Sequence, residues 1–408
     1  MTTHLLTYTD TNPDYSITLP LSKSISNRVL LINSLSEQPA KVDYAVCDDS
    51  NSMLAAINST DEYINIGAAG TAMRFLTAFF ATRTGRTVTL DGSERMRQRP
   101  IAPLVDALRS IGADIEYTQN EGFPPLKITG KILKGGDVTI NAGISSQFIS
   151  ALMMIAPTME KALTIHLAGV QTSRPYIEMT AEIMRKCGAE VILNEEDILI
   201  STKKYVPENI TIEADWSAAS YWYEIAALTR KNVHLSSLTP NSLQGDSGIK
   251  EIFEKLGVTT VFNADGTADL VSGEPQVSHL EIDLGGMPDT AQTFAVTLCM
   301  QGISYKISGL GTLPRKETDR LAALVNELKK VGYVLKTENA DTLIWDGTKT
   351  APVDEPVKTY KDHRMAMCFA PAVFTVKSIK IEDIAVVSKS YPDFWKDVAK
   401  AGIMLAEI

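Results

Sequence analysis

Six consecutive polar residues, Arg315-Lys316-Glu317-Thr318-Asp319-Arg320, five of them charged, separate an apolar β-like run at 303–307 from an apolar helix-like run. Lys316 and Arg320 stand four apart and share one helix face. Glu317 among these cations has its ionisation set by its neighbours, as a group that moves a proton requires. Comparable openings recur along the chain. In Ser22-Lys23-Ser24-Ile-Ser-Asn-Arg28, two cations flank a serine where a helix should begin, and Arg28 shares the face of Ser24. Gly67-Ala68-Ala69-Gly70-Thr71 places glycine before a helix, where a ligand can approach the backbone, but it lacks the signature of a P-loop. Arg95, Arg97 and Arg99 crowd in front of Pro100, and at least one of them reads as functional. Ser145-Ser146-Gln147 supplies hydroxyls and an amide, either as ligand donors or as a double helix cap. Asp289, after Met287-Pro288, reads either as a helix cap or as a general base. Arg364 opens an otherwise apolar helix, and Lys389 precedes one begun by Pro392.

A helix N-terminus presents unpaired N–H groups and a partial positive charge. Several such termini bearing lysine and arginine would hold phosphate or carboxylate groups without a metal. His4, His166, His234, His279 and His363 form no ligand-spaced set, and no Ser-His-Asp arrangement is supported.

The elements that must position these residues repeat. Helices opened by small polar residues and leading into β-rich runs begin near Ser24, Thr71, Ser146, Ser217, Thr290 and His363. The last five starts lie about 70–75 residues apart, whereas the first precedes the second by about 47. A second repeated feature is a helix ending in a basic residue, then glycine, then a strand, at Gly112, Gly188, Gly257 and Gly332; each glycine reads as a left-handed C-cap. Six α/β units over 408 residues predict two domains of three units each. The short first spacing suggests that the first unit borrows a strand from the far end or that a domain boundary falls there. The segment up to Pro20 would then pack with the C-terminal half. Residues 203–209 and 346–355 read as loops.

Composition is that of an ordinary globular protein, 44% hydrophobic and 22% charged. A net charge of −10 argues against a nucleic-acid binder. Cys47, Cys187, Cys299 and Cys368 are widely separated, which fits a reducing compartment rather than a disulfide framework. No signal peptide or membrane span is expected, so the reading is cytoplasmic.

In order along the chain, the motifs resemble the EPSP synthase (3-phosphoshikimate 1-carboxyvinyltransferase) family of enolpyruvyl transferases. The matching pieces are Ser22-Lys-Ser-Ile-Ser-Asn-Arg28, Gly70-Thr-Ala-Met-Arg74, Arg99-Pro100, Ser145-Ser-Gln-Phe148, Ser173-Arg-Pro-Tyr176 and Pro288-Asp289. They continue with Arg315-Lys-Glu-Thr-Asp-Arg320, Asp362-His-Arg-Met-Ala-Met367 and Lys389-Ser-Tyr-Pro-Asp393, so the resemblance covers nearly the whole chain. It implies an α/β fold of two domains, each a threefold βαβαββ repeat (an inside-out α/β barrel), with a cleft between them. The inserted domain would span 20–212, and the other would join 1–19 to 213–408. It implies transfer of the enolpyruvyl group of phosphoenolpyruvate to the 5-hydroxyl of shikimate 3-phosphate, with no cofactor, no metal, no nucleic-acid or membrane partner, and a monomeric state.

By the same resemblance, shikimate 3-phosphate would meet Lys23, Ser24, Arg28, Ser145, Ser146, Gln147, Ser173, Asp289, Thr312 and Lys316. Phosphoenolpyruvate would meet Lys23, Gly70, Arg99, Gln147, Arg320, Arg364 and Lys389. Asp289 would be the base on the hydroxyl, and Glu317, with Lys23, the proton shuttle to the methylene carbon. The chain departs from the family pattern at Ala68 (often Asn), Phe75 (often Pro) and Thr312 (an Asn in the shikimate pocket). The first two departures bear on glyphosate sensitivity, and the third on a substrate hydroxyl contact. The rival readings are a UDP-N-acetylglucosamine enolpyruvyl transferase, whose reactive cysteine is missing between Glu94 and Arg99, and a non-catalytic anion-binding protein on the same scaffold.

Overall fold

The recurring unit is strand, helix, strand, helix, strand, strand, and its sheet runs first–second–fourth–third. The computed structural model describes residues 2–10, 15–169, 171–207 and 210–408. In one repeat, Tyr63–Asn65, helix Gly70–Ala81 and Thr87–Asp91 form a parallel βαβ. Helix Ala102–Ser110 then leads to the antiparallel pair Asp114–Tyr117 and Leu126–Thr129, which closes the sheet. Repeats beginning at Gly136–Asn141, Ser16–Thr18 and His279–Asp283 give sheets of the same order.

A fifth repeat crosses the chain termini. Val357 bridges Ile381 in parallel, and Ser378–Glu382 and Ile403–Glu407 each pair antiparallel with Thr3–Tyr8, which serves as the fourth strand. Of the two causes expected for the short first spacing, the first unit borrows no strand among the described residues, and a boundary between compact units does fall there, between Pro20 and Leu21. Helices Lys23–Leu35 and Asp48–Asn58 follow one another without a strand among the described residues, so no β-hairpin lengthens that unit. The borrowing runs the other way, from the N-terminus to the C-terminal repeat.

The chain divides into two compact units, Met1–Pro20 with Glu213–Ile408, and Leu21–Ile212. Within each unit the first helix of every repeat is buried on nearly all sides, as in Gly70–Ala81, Ser146–Ile155, Trp216–Thr229 and Ala291–Gln301. Such helices are apolar all round and need a packed environment on every face. The sheets cover them. In Leu163–Ala168 the residues Leu163, Ile165 and Leu167 are buried, while Thr164, His166 and Ala168 look outward.

The four expected C-cap glycines all take positive φ: Gly112 +102°, Gly188 +87°, Gly257 +90° and Gly332 +105°. The pattern recurs after Lys400 at Gly402, φ +94°, where an added Cβ would lie 2.3 Å from the Thr9 carbonyl oxygen. Of the expected loops, 203–207 has no regular structure, Glu208 and Asn209 lie outside the described residues, and 346–355 is irregular with an isolated bridge from Lys349 to Tyr333. Among the described residues no helix is long and apolar enough to cross a membrane. All four cysteines are free and buried.

One core residue contradicts its surroundings. Glu224, on helix Trp216–Thr229, is fully buried, and among the described residues neither carboxyl oxygen has a partner at good hydrogen-bond geometry. Burial pushes its pKa well above the usual carboxylate range, and Thr297 offsets this only in part. A raised folded pKa means that the unfolded chain ionises first. Stability is then lost as pH rises above the unfolded value of about 4.3. Glu224→Met should raise stability at neutral pH by about 1–3 kcal/mol. Denaturant unfolding across pH should show this gain shrinking toward pH 4; a gain independent of pH would mean that Glu224 is ionised in the fold.

Candidate active site

In the unit that carries both termini, the charged opening at 315–320 meets two other segments. Asp289 lies in a short 3-10 turn, Pro288–Thr290, just before helix Ala291–Gln301. Thr290 occupies the cap position of that helix, so the Asp289 carboxylate is not used as a cap and projects among cations. Its Oδ1 pairs with Arg320 Nη1 at 3.0 Å and Lys316 Nζ at 3.3 Å, and its Oδ2 with Arg364 Nη2 at 3.0 Å. Burial raises the pKa of Asp289, but Arg364, Lys316 and Arg320 together outweigh that and hold it well below the usual range. Glu317 Oε2 accepts from Arg320 Nη2 at 3.0 Å, and its Oε1 lies 3.7 Å from Lys389 Nζ.

Arg320 is the hub. It opens helix Arg320–Lys330, capped by Asp319, and is 1% exposed. Its Nε donates to Asp362 Oδ2 at 2.7 Å and its Nη2 to Asp362 Oδ1 at 3.3 Å. Asp362 is fully buried and also caps helix His363–Phe369 by accepting from the Arg364 amide at 3.0 Å. Arg364 donates to Tyr221 Oη at 3.5 Å and Ser217 Oγ at 3.3 Å, and Ser217 in turn donates to Asp246. Burial, helped by the nearby Asp289, pushes the Asp246 carboxyl up to about 6. Asp362, Ser217, Tyr221 and Asp246 had no assigned role from the sequence. Their signal was position alone: Asp362 beside His363-Arg364, and Ser217 at a helix opening. Thr312 stands just before the 3-10 turn Leu313–Arg315, and its buried Oγ1 has no hydrogen-bond partner among the described residues.

The other unit groups its candidates around three helix openings. Helix Lys23–Leu35 is capped by Ser22, not Ser24, and Lys23 Nζ pairs with Asp49 Oδ2 at 3.0 Å. Arg28 is buried, and its donors reach only neutral acceptors: Thr180 Oγ1 at 2.7 Å, the Ser24 carbonyl at 2.8 Å, Ser150 Oγ at 3.3 Å and the Tyr176 carbonyl at 3.4 Å. Its guanidinium also lies over the Phe75 ring, 5.3 Å from the centroid. Burial pushes its pKa down to about 10, and among the described residues no carboxylate pairs with it.

At the second opening, a Cβ on Gly70 would lie 2.5 Å from Arg99 Nη1, so only glycine admits that guanidinium against the helix terminus. Arg97 is occupied differently, by a two-pronged pair with Asp91 at 2.9 and 2.5 Å. Arg74 Nη1 bonds the Gly70 carbonyl at 3.1 Å, and its Nη2 bonds that of Pro100 at 3.3 Å, tying Gly70 to the arginine-rich loop. At the third opening, Ser145 caps helix Ser146–Ile155 by accepting from the Gln147 amide, and Gln147 Nε2 donates to Thr71 Oγ1 at 3.1 Å. The second and third openings are thereby adjacent. Ser173, buried and left-handed at φ +57°, precedes helix Arg174–Lys186.

Known proteins match this chain along nearly its whole length. The family model of EPSP synthase (3-phosphoshikimate 1-carboxyvinyltransferase) matches residues 50–398. A 3-phosphoshikimate 1-carboxyvinyltransferase of Bacteroides fragilis (strain YCH46) is 46% identical over 391 residues, covering 95% of each chain. One from Vibrio atlanticus (strain LGP32) is 36% identical, covering 93% of this chain and 95% of its own. The solved EPSP synthase of Acinetobacter baumannii has the same fold, with a TM-score of 0.75 at 20% identity over 100% of both chains. The chain therefore belongs to the EPSP synthase family, the 3-phosphoshikimate 1-carboxyvinyltransferases.

Proposed function

We propose that this chain transfers the enolpyruvyl group of phosphoenolpyruvate to the 5-hydroxyl of shikimate 3-phosphate, as a cytosolic monomer that needs no metal. The observation that carries the reading is Asp289, a carboxylate kept ionised by Arg364, Lys316 and Arg320, with Glu317 on the same arginine. An anion-binding protein needs the cations but not the two carboxylates that compete for them.

The chemistry follows from the charges. The substrate hydroxyl adds to the enol carbon of phosphoenolpyruvate while the methylene carbon takes a proton. The adduct then loses phosphate from the former and a proton from the latter. In this proposal, Arg320, Arg364 and Lys389 bind the phosphoenolpyruvate anion, and the family resemblance adds Lys23, Gly70, Arg99 and Gln147 to its ligands. Shikimate 3-phosphate takes Lys23, Ser24, Arg28, Ser145, Ser146, Gln147, Ser173, Asp289, Thr312 and Lys316. Arg28 would gain from an anionic ligand, since among the described residues its buried charge has only neutral partners. The unpartnered Thr312 hydroxyl offers a bond in place of the family's amide.

Asp289 without ligand is the counter-ion of its cations and therefore a weak base. When substrate phosphate and carboxylate groups engage Arg364 and Lys316, the stabilisation of the Asp289 charge falls. Its affinity for the hydroxyl proton then rises where the reaction needs it. In this proposal Glu317, which pairs with Arg320 and Lys389, passes a proton to and from the methylene carbon together with Lys23.

Phosphate release from phosphoenolpyruvate should require shikimate 3-phosphate and persist with a chelator present. Release that requires UDP-N-acetylglucosamine instead would move the assignment to the sister reaction, and no release with either acceptor would leave the anion-binding reading. In the same assay Glu317→Gln should lower kcat by about 10²–10⁴ with little change in KM; full turnover would remove Glu317 from proton transfer. Gly70→Ala, which displaces the Arg99 guanidinium, should lower kcat/KM for phosphoenolpyruvate by about 10²-fold. An unchanged value would separate Arg99 from that substrate.

A further inference from the structure

Tyr360 and Lys361 adopt φ of +53° and +58°, and the Asp362 amide donates to the Thr359 carbonyl at 2.8 Å. Two consecutive left-handed residues closed by this bond have the pattern of a type I′ turn, which favours Asn and Gly at its centre. The chain contains another such pair, Asn339 and Ala340, at φ +52° each. There the turn is explained, because it links the antiparallel strands Lys336–Glu338 and Thr342–Trp345 by a short loop. No hairpin demands a primed turn at 359–362. It joins the bridge at Val357 to the helix His363–Phe369, and neither of its central residues is glycine. A strained turn persists where its surroundings over-determine it.

What holds the turn comes from helix Arg320–Lys330. Glu327 is fully buried and accepts from Tyr360 Oη at 2.5 Å and from the Lys358 amide at 2.9 Å. Lys330 pairs with Glu327 at 2.7 Å and donates to the Pro356 carbonyl at 2.9 Å. Glu327 lies two helical turns beyond Arg320 and so on the same face. The one helix therefore grips 356–362 twice, through Glu327 and Lys330 on the near side of the turn and through Arg320 on Asp362 at its far end. Asp362 in turn caps the helix that presents Arg364.

We propose that Glu327 and Tyr360 are positioning residues: they hold the strained turn that places Asp362, and through it set the Arg320 and Arg364 guanidiniums for the phosphoenolpyruvate anion. The proposal rests on the enolpyruvyl-transfer reading for the identity of that anion. It differs from a simple packing role in one respect. If strain is what the Tyr360 bond restrains, relieving the strain must restore what losing the bond takes away.

The test compares Tyr360→Phe, Lys361→Gly and the double variant with the wild type, measuring kcat, KM for each substrate and thermal unfolding. Tyr360→Phe should raise KM for phosphoenolpyruvate about tenfold while KM for shikimate 3-phosphate stays within about twofold. Lys361→Gly makes left-handed φ inexpensive without touching the clamp, so the double variant should recover most of the lost affinity. An unchanged phosphoenolpyruvate KM in Tyr360→Phe overturns the proposal. So does a matched rise in both KM values with a lower melting temperature and no recovery in the double variant. Wild-type protein that releases no phosphate rejects the reading of the reaction instead. In that case amide-hydrogen exchange at Asp362 and Arg364 decides the clamp: faster exchange in Tyr360→Phe, restored by Lys361→Gly, supports it, and unchanged exchange overturns it.

Discussion

Arg320 is a guanidinium taken almost wholly out of water and surrounded by three carboxylates, those of Asp362, Asp289 and Glu317. A charge so buried persists only if it is paired with good geometry, and losing one partner of such a pair costs about 3–5 kcal/mol. Burial works against the charge, but the three acids hold its pKa above the ordinary arginine value. Asp362 does two jobs with one carboxylate, since it binds Arg320 and caps the helix that begins with His363 and Arg364. The position of one arginine is thus fixed to that of the other. Asp289 then spans both, with one oxygen on Arg320 and one on Arg364.

The other unit uses its cations differently. Arg28 is buried among hydroxyls and carbonyls, and Arg99 lies against a helix terminus from which a side chain has been removed. In the unit that carries both termini, the buried arginines Arg320 and Arg364 are paired with carboxylates. In the other, Arg28 is left short of a countercharge.

Much of this was legible from residue types and spacing. The C-cap glycines were readable because a helix ending in a basic residue and followed by a strand leaves few conformations open, and glycine meets the left-handed one. Gly402 obeys the same rule after Lys400, with φ +94°. The charged opening at 315–320 was legible because ordinary helix starts do not carry so many ions. The role of Asp289 was not, since a Pro-Asp-Thr helix opening looks the same whether the carboxylate caps the helix or faces Arg364, 75 positions away. Asp362, Ser217 and Asp246 were opaque for the same reason. Their partners are set by tertiary packing, and no local spacing encodes it. The N-terminal strand was placed in the right half but given no partner, because its register depends on strands near residues 380 and 405.

Addition and elimination at the enol carbon, as the proposed reaction requires, breaks the carbon–oxygen bond of phosphoenolpyruvate and leaves its phosphorus–oxygen bond intact. Phosphoenolpyruvate labelled with oxygen-18 in its bridging C–O–P position distinguishes the two. Carbon–oxygen cleavage during turnover with shikimate 3-phosphate sends the label into inorganic phosphate, and that is the result this account predicts. Label retained in the organic product would mean that the phosphorus–oxygen bond breaks, and would contradict it.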